Sequence, residues 1–327
     1  MSEQQGKDRS RIAPELAAAL DLIPNLDFSK GIAPFRAMFA GNRPMPLAPG
    51  LDVVSREERF VPGLEDAPDV RLLYYTPPGH APAARPAVLH LHGGGFVLGN
   101  PEVNDAANRA MALATDCVIA SVDYRLAPEA CFPAPVEDAY AVLRWMHDEA
   151  GVLGLDPGRI AIAGESAGGG HAAALALYAR DRGGPTIHFL LLDAPMLDDR
   201  TGTRPNPHPH CGAFVWTPEK NRFGWAALLG CEAGGPDVPE HAVPARRTDL
   251  AGLPPTFITV GALDLFLEED LEWVRRLARV GVPVELHVIP GAYHGFGVAV
   301  GSPQVLQVTE LRKAALARAF ARAATGG

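Results

Sequence analysis

The stretch Gly164-Glu165-Ser166-Ala167-Gly168-Gly169 decides the fold of this 327-residue chain. It follows an apolar run at 159–163 that is typical of a strand, and it opens a stretch at 167–180 that is typical of a helix. Between a strand and a helix, a G-x-S-x-G sequence forms a tight, strained turn that lifts the serine hydroxyl clear of the sheet. The motif therefore predicts a parallel α/β architecture with a nucleophilic serine at Ser166.

The glycines of this motif have a physical role in the prediction. Small residues at Gly164 and Gly168, two positions before and after the serine, let the strand and the helix approach each other closely. A phosphate-binding loop is the alternative reading of a glycine-rich helix entry. Such a loop needs a Gly-Lys-Ser/Thr sequence, and no lysine lies nearby.

Short apolar runs, several of them β-branched, occur on both sides of the motif and predict strands. They are Val53-Val54, 70–75, 87–91, 117–122, 160–163, 189–192, 256–260 and 284–289. Helical stretches separate most of these runs from the third onward, at 103–115, 135–149, 167–180 and 268–280, and an amphipathic helix follows at 303–323. This alternation predicts a mostly parallel sheet with helices on both faces. The first two runs leave no room for a helix between them, so we expect that end to be antiparallel.

Two segments do not follow the alternation. Residues 1–50 combine a polar tail with apolar residues at roughly helical spacing, interrupted by prolines, which predicts two short helices that pack on another part of the chain. Residues 199–243 are rich in proline, glycine and aromatic residues and are too long for a simple crossover. We expect them to be an insertion over the C-terminal ends of the strands, where open α/β sheets bind ligands. The predicted core is then 51–198 and 244–327.

A serine hydroxyl needs a general base, and the base in turn needs an acid. Asp264 and His294 each lie just past the end of a predicted strand, in the order serine, acid, histidine that accompanies this type of turn. We predict that His294 takes the proton of Ser166 and that Asp264 orients the imidazole. Three acids close to Asp264 are alternatives for its role: Glu268, Glu269 and Asp270.

A second glycine-rich stretch, at 90–96, reads His-Leu-His-Gly-Gly-Gly-Phe and also follows a strand. Acyl transfer needs backbone N–H groups directed at the developing oxyanion, and consecutive glycines supply them without a side chain in the way. We assign this role to the N–H groups of Gly94, Gly95 and Ala167, with His92 and Gly93 as supporting residues. A nucleotide-binding loop is the alternative, but G-x-G-x-x-G is not matched.

Metal binding is a further alternative for two groups of residues. His90 and His92 lie on one face of a strand, and His208, His210 and Cys211 lie close together in a proline-rich loop. Neither group has the ligand spacing of a recognised zinc motif, so we predict no metal site.

Composition excludes several classes of protein. The net charge of −9 argues against nucleic-acid binding, which needs a basic face. The polar N-terminus is not followed by an apolar run of the length of a signal peptide, and no apolar stretch reaches the roughly 18 residues of a membrane span. The four cysteines form no C-x-x-C pair, which favours free thiols in a reducing cytoplasm.

Four motifs together resemble one family. They are 91–96, 123–129 (Asp-Tyr-Arg-Leu-Ala-Pro-Glu), 164–169 and the pair formed by Asp264 with 293–296. This set resembles the hormone-sensitive-lipase branch of the α/β-hydrolases from about residue 50 to the end. The resemblance implies an eight-stranded core, a helical cap built from 1–50 and 199–243, carboxylesterase activity on short acyl chains, and no cofactor. It implies a structural role for 123–129.

The chain departs from the pattern of this branch at two places. Glu165 stands where the branch usually has Asp or Thr, and the acid is followed by Leu-Phe-Leu-Glu-Glu at 265–269 instead of Pro-Leu-Arg-Asp-Glu. The catalytic positions are intact, so the departures concern the subgroup and its contacts.

The predicted ligand is a small-molecule ester. Candidates for an apolar acyl pocket under the cap are aromatic and methionine side chains, for which packing within the cap is an equal alternative: Phe35, Met38, Phe39, Phe214 and Trp216. The same triad would also serve an amidase or a lactone or carbamate hydrolase. A non-catalytic small-molecule receptor on this fold is disfavoured because His294 is present. Related proteins often form homodimers, for which the final helix and the last strand are candidate contacts.

Overall fold

Eight strands form one sheet through the middle of the molecule. Their bounds are β1 Ser55–Val61, β2 Val70–Thr76, β3 Arg85–Leu91, β4 Val118–Val122, β5 Leu155–Glu165, β6 Phe189–Asp193, β7 Thr256–Gly261 and β8 Val284–Ile289. The computed structural model describes residues 7–24, 27–40, 47–79, 81 and 83–321. The order of strands across the sheet is β1-β2-β4-β3-β5-β6-β7-β8.

The sheet is mostly parallel. β2 pairs antiparallel with both β1 and β4, and every other neighbouring pair is parallel. The predicted α/β class, the parallel core and the antiparallel end are therefore confirmed. Because β3 to β8 run in one direction, the loops that follow them meet at one edge of the sheet.

Helices cover both faces of this sheet. Within the described residues they are α1 Pro14–Leu20, α2 Ala33–Ala40, α3 Asp105–Thr115, α4 Ala134–Asp148, α5 Ala150–Leu153, α6 Ala167–Asp181, α7 Pro218–Leu229, α8 Leu267–Arg279 and α9 Pro303–Ala321. The helices predicted from periodicity correspond to α3, α4, α6, α8 and α9. The predicted helix at 103 begins two residues later because Pro101–Asn104 form a separate 3-10 turn.

The central strand β5 shows why both faces are covered. Ile160 and Ile162 pack into the cluster that contains α4, α6 and α8, whereas Ala161 and Ala163 pack into the cluster that contains α3 and α9. Successive side chains of a strand point to opposite faces, so an uninterrupted apolar run requires an apolar layer on each side.

The prediction of a strand at Val53-Val54 is wrong. Val54 is fully buried but lies in a turn, where its N–H donates to the carbonyl of Leu51 at 3.3 Å. The first strand is instead Ser55–Val61, whose burial is low along most of its length. It lies at the edge of the sheet, where charged side chains protect the unpaired backbone, and a search for apolar runs therefore misses it.

The two irregular segments pack at the edge where the strands end. α1 contacts the loop after β8, with the Ala13 N–H donating to the carbonyl of Gly291 at 3.1 Å. Residues of α7 and the preceding loop join Phe28 and the loop after β3 in one apolar cluster. Both predicted N-terminal helices are present as α1 and α2; residues 1–6, 25–26, 41–46, 80, 82 and 322–327 lie outside the described residues. The division into core and cap at 50, 198 and 243 stays a prediction.

Candidate active site

The turn between β5 and α6 holds Ser166 in a conformation that few residues adopt. Its φ is +53° and its ψ is −118°, in a region that is strained for a residue with a side chain. Two glycines permit the turn. A Cβ on Gly164 would lie 2.4 Å from the carbonyl oxygen of Gly168, and a Cβ on Gly168 would lie 2.0 Å from that of Leu91. Both positions therefore require glycine.

The structure brings Ser166, His294 and Asp264 into one hydrogen-bonded row. The Ser166 Oγ is 2.9 Å from Nε2 of His294, and the Nδ1 of His294 is 2.8 Å from Oδ2 of Asp264. A carboxylate only accepts, so Nδ1 carries the proton and Nε2 is left free to accept from the serine hydroxyl. Asp264 and His294 are both buried. The arrangement can withdraw the serine proton and stabilise the imidazolium that results.

The alternative acids do not reach the histidine. The Glu269 carboxylate accepts from the backbone N–H groups of Leu197 and Asp198, at 2.6 and 3.2 Å, and from the hydroxyl of Thr201. Glu268 is exposed on the first turn of α8. Glu269 thus ties α8 to the loop after β6 and has no contact with the imidazole.

Asp270 is the third alternative acid, and it is fully buried with no hydrogen-bond partner for either carboxylate oxygen among the described residues. Burial raises the pKa of Asp270 well above its usual range, and the negative charges of Glu269, Asp264 and Asp193 raise it further. The folded protein therefore keeps Asp270 protonated at pH values where the unfolded chain releases that proton. Its contribution to stability is full below the ordinary aspartate pKa and falls as pH rises through the raised folded pKa.

We expect Asp270→Asn to stabilise the protein more at pH 8 than at pH 5. The amide has a similar shape and does not ionise, so the free energy of unfolding at pH 8 should rise by about 1.4 kcal/mol for each unit by which the folded pKa exceeds the unfolded one. Urea unfolding at pH 5, 6.5 and 8 measures this, with the exposed Asp52→Asn as the matched control. Parallel pH dependence in the wild type and Asp270→Asn would contradict the prediction.

The loop after β3 places its glycines beside Ser166. A Cβ on Gly93 would lie 3.6 Å from the Cβ of Ser166. Gly94 and Gly95 have φ values of +134° and +60°, and no acceptor among the described residues receives their N–H groups. Ala167 is the first residue of α6, and the first N–H groups of a helix have no partner within it. Backbone N–H groups without an acceptor among the described residues thus lie on the loop beside the serine, an arrangement that can stabilise an oxyanion.

Residues 92 and 124 support this loop. The His92 ring stacks on Tyr124 with 4.3 Å between centroids, and its Nδ1 donates to the Gly93 carbonyl at 2.8 Å. Burial lowers the pKa of His92 to about 4, so the ring is neutral at pH 7. The Tyr124 hydroxyl donates to the His92 carbonyl at 2.7 Å. The motif at 123–129 thus lies beside the glycine loop and braces it.

One of the five predicted pocket residues reaches the site. The ring of Trp216 lies 6.3 Å from that of His294, and its edge packs against Gly95 so closely that a Cβ there would lie 2.1 Å from the indole. The indole N–H donates to Asn221 at 3.0 Å, which fixes the ring. Phe28, which the sequence analysis missed, contacts Trp216 edge-to-face at 6.1 Å.

Of the other predicted pocket residues, Phe35, Met38 and Phe214 have surroundings of their own, and neither they nor Trp216 line the cavity at Ser166. Phe35 packs on Phe28, Met38 is half exposed, and Phe214 packs against Tyr293. The side chain of Phe39 lies outside the described residues. A cavity of about 130 Å³ opens at the triad and is lined on its far side by α9.

A charged cluster beneath Ser166 was not predicted from the sequence. Glu165 accepts from Nε2 of His90 at 3.1 Å and from the guanidinium of Arg312 at 3.2 Å. Asp193, at the end of β6, lies 3.6 Å from the same guanidinium. The unusual glutamate before the serine was the available signal, but its partners lie far away in the chain.

The other histidines that the structure describes are not gathered into a metal centre. His90 faces Ser121 and Glu165, whereas His92 faces Tyr124. The two imidazoles that could have shared a metal ion therefore have separate partners. Across the described residues, no three or more His, Cys, Asp or Glu side chains are grouped so as to hold a metal ion. No helix in that part of the chain combines the length and apolarity needed to cross a membrane.

Comparisons with known proteins agree with this architecture. The family described as alpha/beta hydrolase fold matches residues 88–298. Esterase LipI of Mycobacterium tuberculosis (strain ATCC 25618 / H37Rv) is 36% identical over 308 residues, which is 92% of this chain and 93% of LipI. Carboxylesterase NlhH of Mycobacterium tuberculosis (strain CDC 1551 / Oshkosh) is 35% identical over 320 residues, which is 95% of this chain and 97% of NlhH.

Solved structures show the same likeness over nearly the whole chain. A bacterial heroin esterase superimposes with a TM-score of 0.87 at 37% identity, covering 95% of this chain and 98% of that protein. Esterase LipW from Mycobacterium marinum gives a TM-score of 0.85 at 34% identity, covering 98% and 99%. The serine turn, the glycine loop and the strand order thus occur in a chain that matches this family along most of its length, and the chain belongs to the α/β-hydrolase family.

Proposed function

We propose that this protein is a serine carboxylesterase that hydrolyses short- to medium-chain carboxylic esters of small molecules. The observation that carries the proposal is the row Ser166–His294–Asp264, with distances of 2.9 and 2.8 Å. Beside it are the N–H groups of Gly94 and Gly95, for which the described residues offer no acceptor. The names of the relatives, esterase and carboxylesterase, support the same class of reaction.

The proposed reaction proceeds in two halves. The Oγ of Ser166 attacks the ester carbonyl while Nε2 of His294 takes its proton, and the N–H groups of Gly94, Gly95 and Ala167 receive the oxyanion. The tetrahedral intermediate expels the alcohol, which takes the proton from His294, and leaves an acyl-enzyme. Water then attacks the acyl carbon, with His294 as its base, and Ser166 is released with the carboxylic acid. Besides the ester and water, these steps use side chains and backbone groups of this chain.

The segments 1–50 and 199–243 serve as the cap in this proposal. α1 packs on the loop that carries His294, and α7 approaches the glycine loop so closely that a Cβ on Gly224 would lie 2.6 Å from the carbonyl oxygen of Gly95. A cap in this place excludes water from the acyl group and limits its size. Cytoplasmic location and a homodimer stay predictions.

The test combines substrate class with identification of the nucleophile. Purified protein is assayed on p-nitrophenyl esters from acetate to dodecanoate and on the matching p-nitroanilides. It is also treated with a fluorophosphonate, and the labelled peptide is identified by mass spectrometry. We expect ester hydrolysis with a maximum at short chains and label on Ser166. Hydrolysis of anilides alone would move the proposal to an amidase, and absence of label on Ser166 would contradict it.

We expect Trp216→Ala to shift the preference toward longer acyl chains. The indole fills the space beside Gly95, so its removal opens room next to the oxyanion site. The ratio of kcat/KM for the octanoate to that for the butyrate should rise roughly tenfold, since the opened space can take about two of the four additional methylenes and each contributes about 0.8 kcal/mol. The half-buried Trp145, which packs on Tyr74, supplies the matched control Trp145→Ala. An octanoate-to-butyrate ratio that is equal in Trp216→Ala and Trp145→Ala would show that Trp216 does not line the acyl pocket.

A further inference from the structure

A cluster of charged side chains lies directly beneath the nucleophile turn and comes from four separate elements. Glu165 ends β5, Asp193 ends β6, His90 belongs to β3, and Arg312 belongs to the C-terminal helix α9. The Arg312 guanidinium lies 3.2 Å from an oxygen of Glu165 and 3.6 Å from an oxygen of Asp193. One cation therefore bridges two carboxylates.

Both carboxylates belong to backbone segments that hold Ser166. Glu165 is its immediate neighbour in the chain. The carbonyl of Asp193 accepts the Ser166 N–H at 2.8 Å, and the residue after it, Ala194, has a φ of +43°. The strained serine turn is thus held between two residues whose side chains share one guanidinium. A loss of that cation leaves two buried carboxyl groups on either side of the nucleophile without their shared partner. Burial already raises the pKa of Asp193, and the Arg312 guanidinium opposes that rise.

Hydrogen bonds fix both carboxylates in this place. Glu165 also accepts from Nε2 of His90 at 3.1 Å and from Asn104 at 3.3 Å, and Asp193 accepts from the Thr259 hydroxyl at 2.5 Å. Burial alone would raise the pKa of Glu165, but His90 and Arg312 lower it to about 2. Glu165 is therefore ionised at pH 7, which requires a proton on Nε2 of His90.

The cluster faces the catalytic cavity. Glu165, Asp193 and Arg312 line the same 130 Å³ space as Ser166 and His294, and about a fifth of each of the three charged side chains is accessible. Asp193 and His294 are close enough to interact electrostatically. Charges on this wall therefore act on the imidazolium that forms during the reaction.

We propose that Arg312 is a positioning residue for the nucleophile turn, which neutralises Glu165 and Asp193 and thereby sets the charge balance at His294. The inference rests on the proposed esterase function. It assigns a role in the reaction to the last helix of the chain, which contributes no residue to the triad. It also gives a reason for a glutamate before the serine, because its longer side chain reaches across the cavity wall to α9.

The charged groups near His294 decide the sign of the effect. Asp264 contacts the imidazole directly. Glu165, Asp193 and Arg312 face it across the cavity, and Asp270 of α8 lies behind Asp264 and Asp193.

Two further groups near the site, Lys220 and His90, are held by hydrogen-bond partners of their own, and neither is substituted in the test. From the cap side, Lys220 of α7 is bound to the carbonyl of Val215, which precedes Trp216. His90 lies behind Glu165. Removing Arg312 removes a positive charge, so imidazolium is favoured; removing the charge of Glu165 has the reverse effect.

The experiment measures kcat/KM on p-nitrophenyl butyrate from pH 5 to 9, where the acidic limb reports the pKa of the free base. We expect Arg312→Gln to move this limb to higher pH by about 0.5–1 unit, and Glu165→Gln to move it to lower pH by a similar amount. Arg312→Lys keeps the charge and should retain the position of the wild-type limb. Arg318→Gln is the matched control, since Arg318 lies on the exposed part of α9 and pairs with Glu285 of β8.

A purely structural role predicts lower kcat with an unmoved limb. Limbs that stay at the wild-type position, or that move in the same direction in Arg312→Gln and Glu165→Gln, would overturn the inference. Should Arg312→Gln not fold, the other two variants decide. The acidic limb must move to lower pH in Glu165→Gln and must keep its wild-type position in Arg312→Lys. Failure of the wild type to hydrolyse any ester or to bind fluorophosphonate at Ser166 would instead reject the proposed function.

Discussion

Replacement of Ser166 by alanine should lower kcat on p-nitrophenyl butyrate by at least about 10⁴-fold with little change in KM. The hydroxyl is the atom that forms the acyl-enzyme, and no other hydroxyl is placed beside His294 in the described part of the chain. What remains is the stabilisation that the backbone N–H groups and substrate binding provide. Initial rates at saturating ester measure the loss, and circular dichroism checks that the variant is folded.

The control for this loss uses another serine and a double variant. Ser55→Ala, at the exposed start of β1, should retain full activity. His294→Ala should cost about as much as Ser166→Ala, and the double variant should be no slower than either single one, because the two residues act as a unit. Losses that multiply in the double variant, or a Ser166→Ala variant that keeps more than about a hundredth of the activity, would contradict the triad.

The second large effect is expected at the acid. Asp264→Asn should lower kcat/KM by about 10³–10⁴-fold although the shape of the side chain is kept. The amide can donate to Nδ1 of His294 where the carboxylate accepts, and this favours the tautomer with its proton on Nε2. That nitrogen then cannot accept from Ser166, so the general base is lost while the fold, which buries Asp264 almost completely, is retained.

The neighbouring acids supply the comparison. Glu268→Gln, on the exposed first turn of α8, should keep wild-type kcat/KM. Glu269→Gln should lower stability, since its carboxylate holds the backbone N–H groups of Leu197 and Asp198, but should leave the pH profile unchanged in the folded fraction. A large loss of activity in Glu269→Gln, with Asp264→Asn nearly as active as the wild type, would transfer the role of the acid to Glu269.

The local pattern of the sequence was enough to predict the elements that are strongly periodic. Buried parallel strands such as β5 and β7 are continuous apolar runs, and the turn at Ser166 has small residues where any Cβ would collide with backbone. These features depend on residues close together in the chain, so they can be read without the fold. The edge strand β1 has no apolar run because solvent covers most of it, and the search for such runs failed there.

The sequence by itself thus determined the α/β class, the turn with Ser166 and the glycine loop. It also gave Asp264 and His294 as candidates that follow strands. Only the tertiary structure decided which acid faces His294, since Asp264, Glu269 and Asp270 lie within seven positions and differ only in direction. It alone placed Trp216 on Gly95 and Arg312 on Glu165, which are separated by more than a hundred residues. Such contacts depend on how sheet, cap and last helix pack together, and no local pattern of residues records that packing.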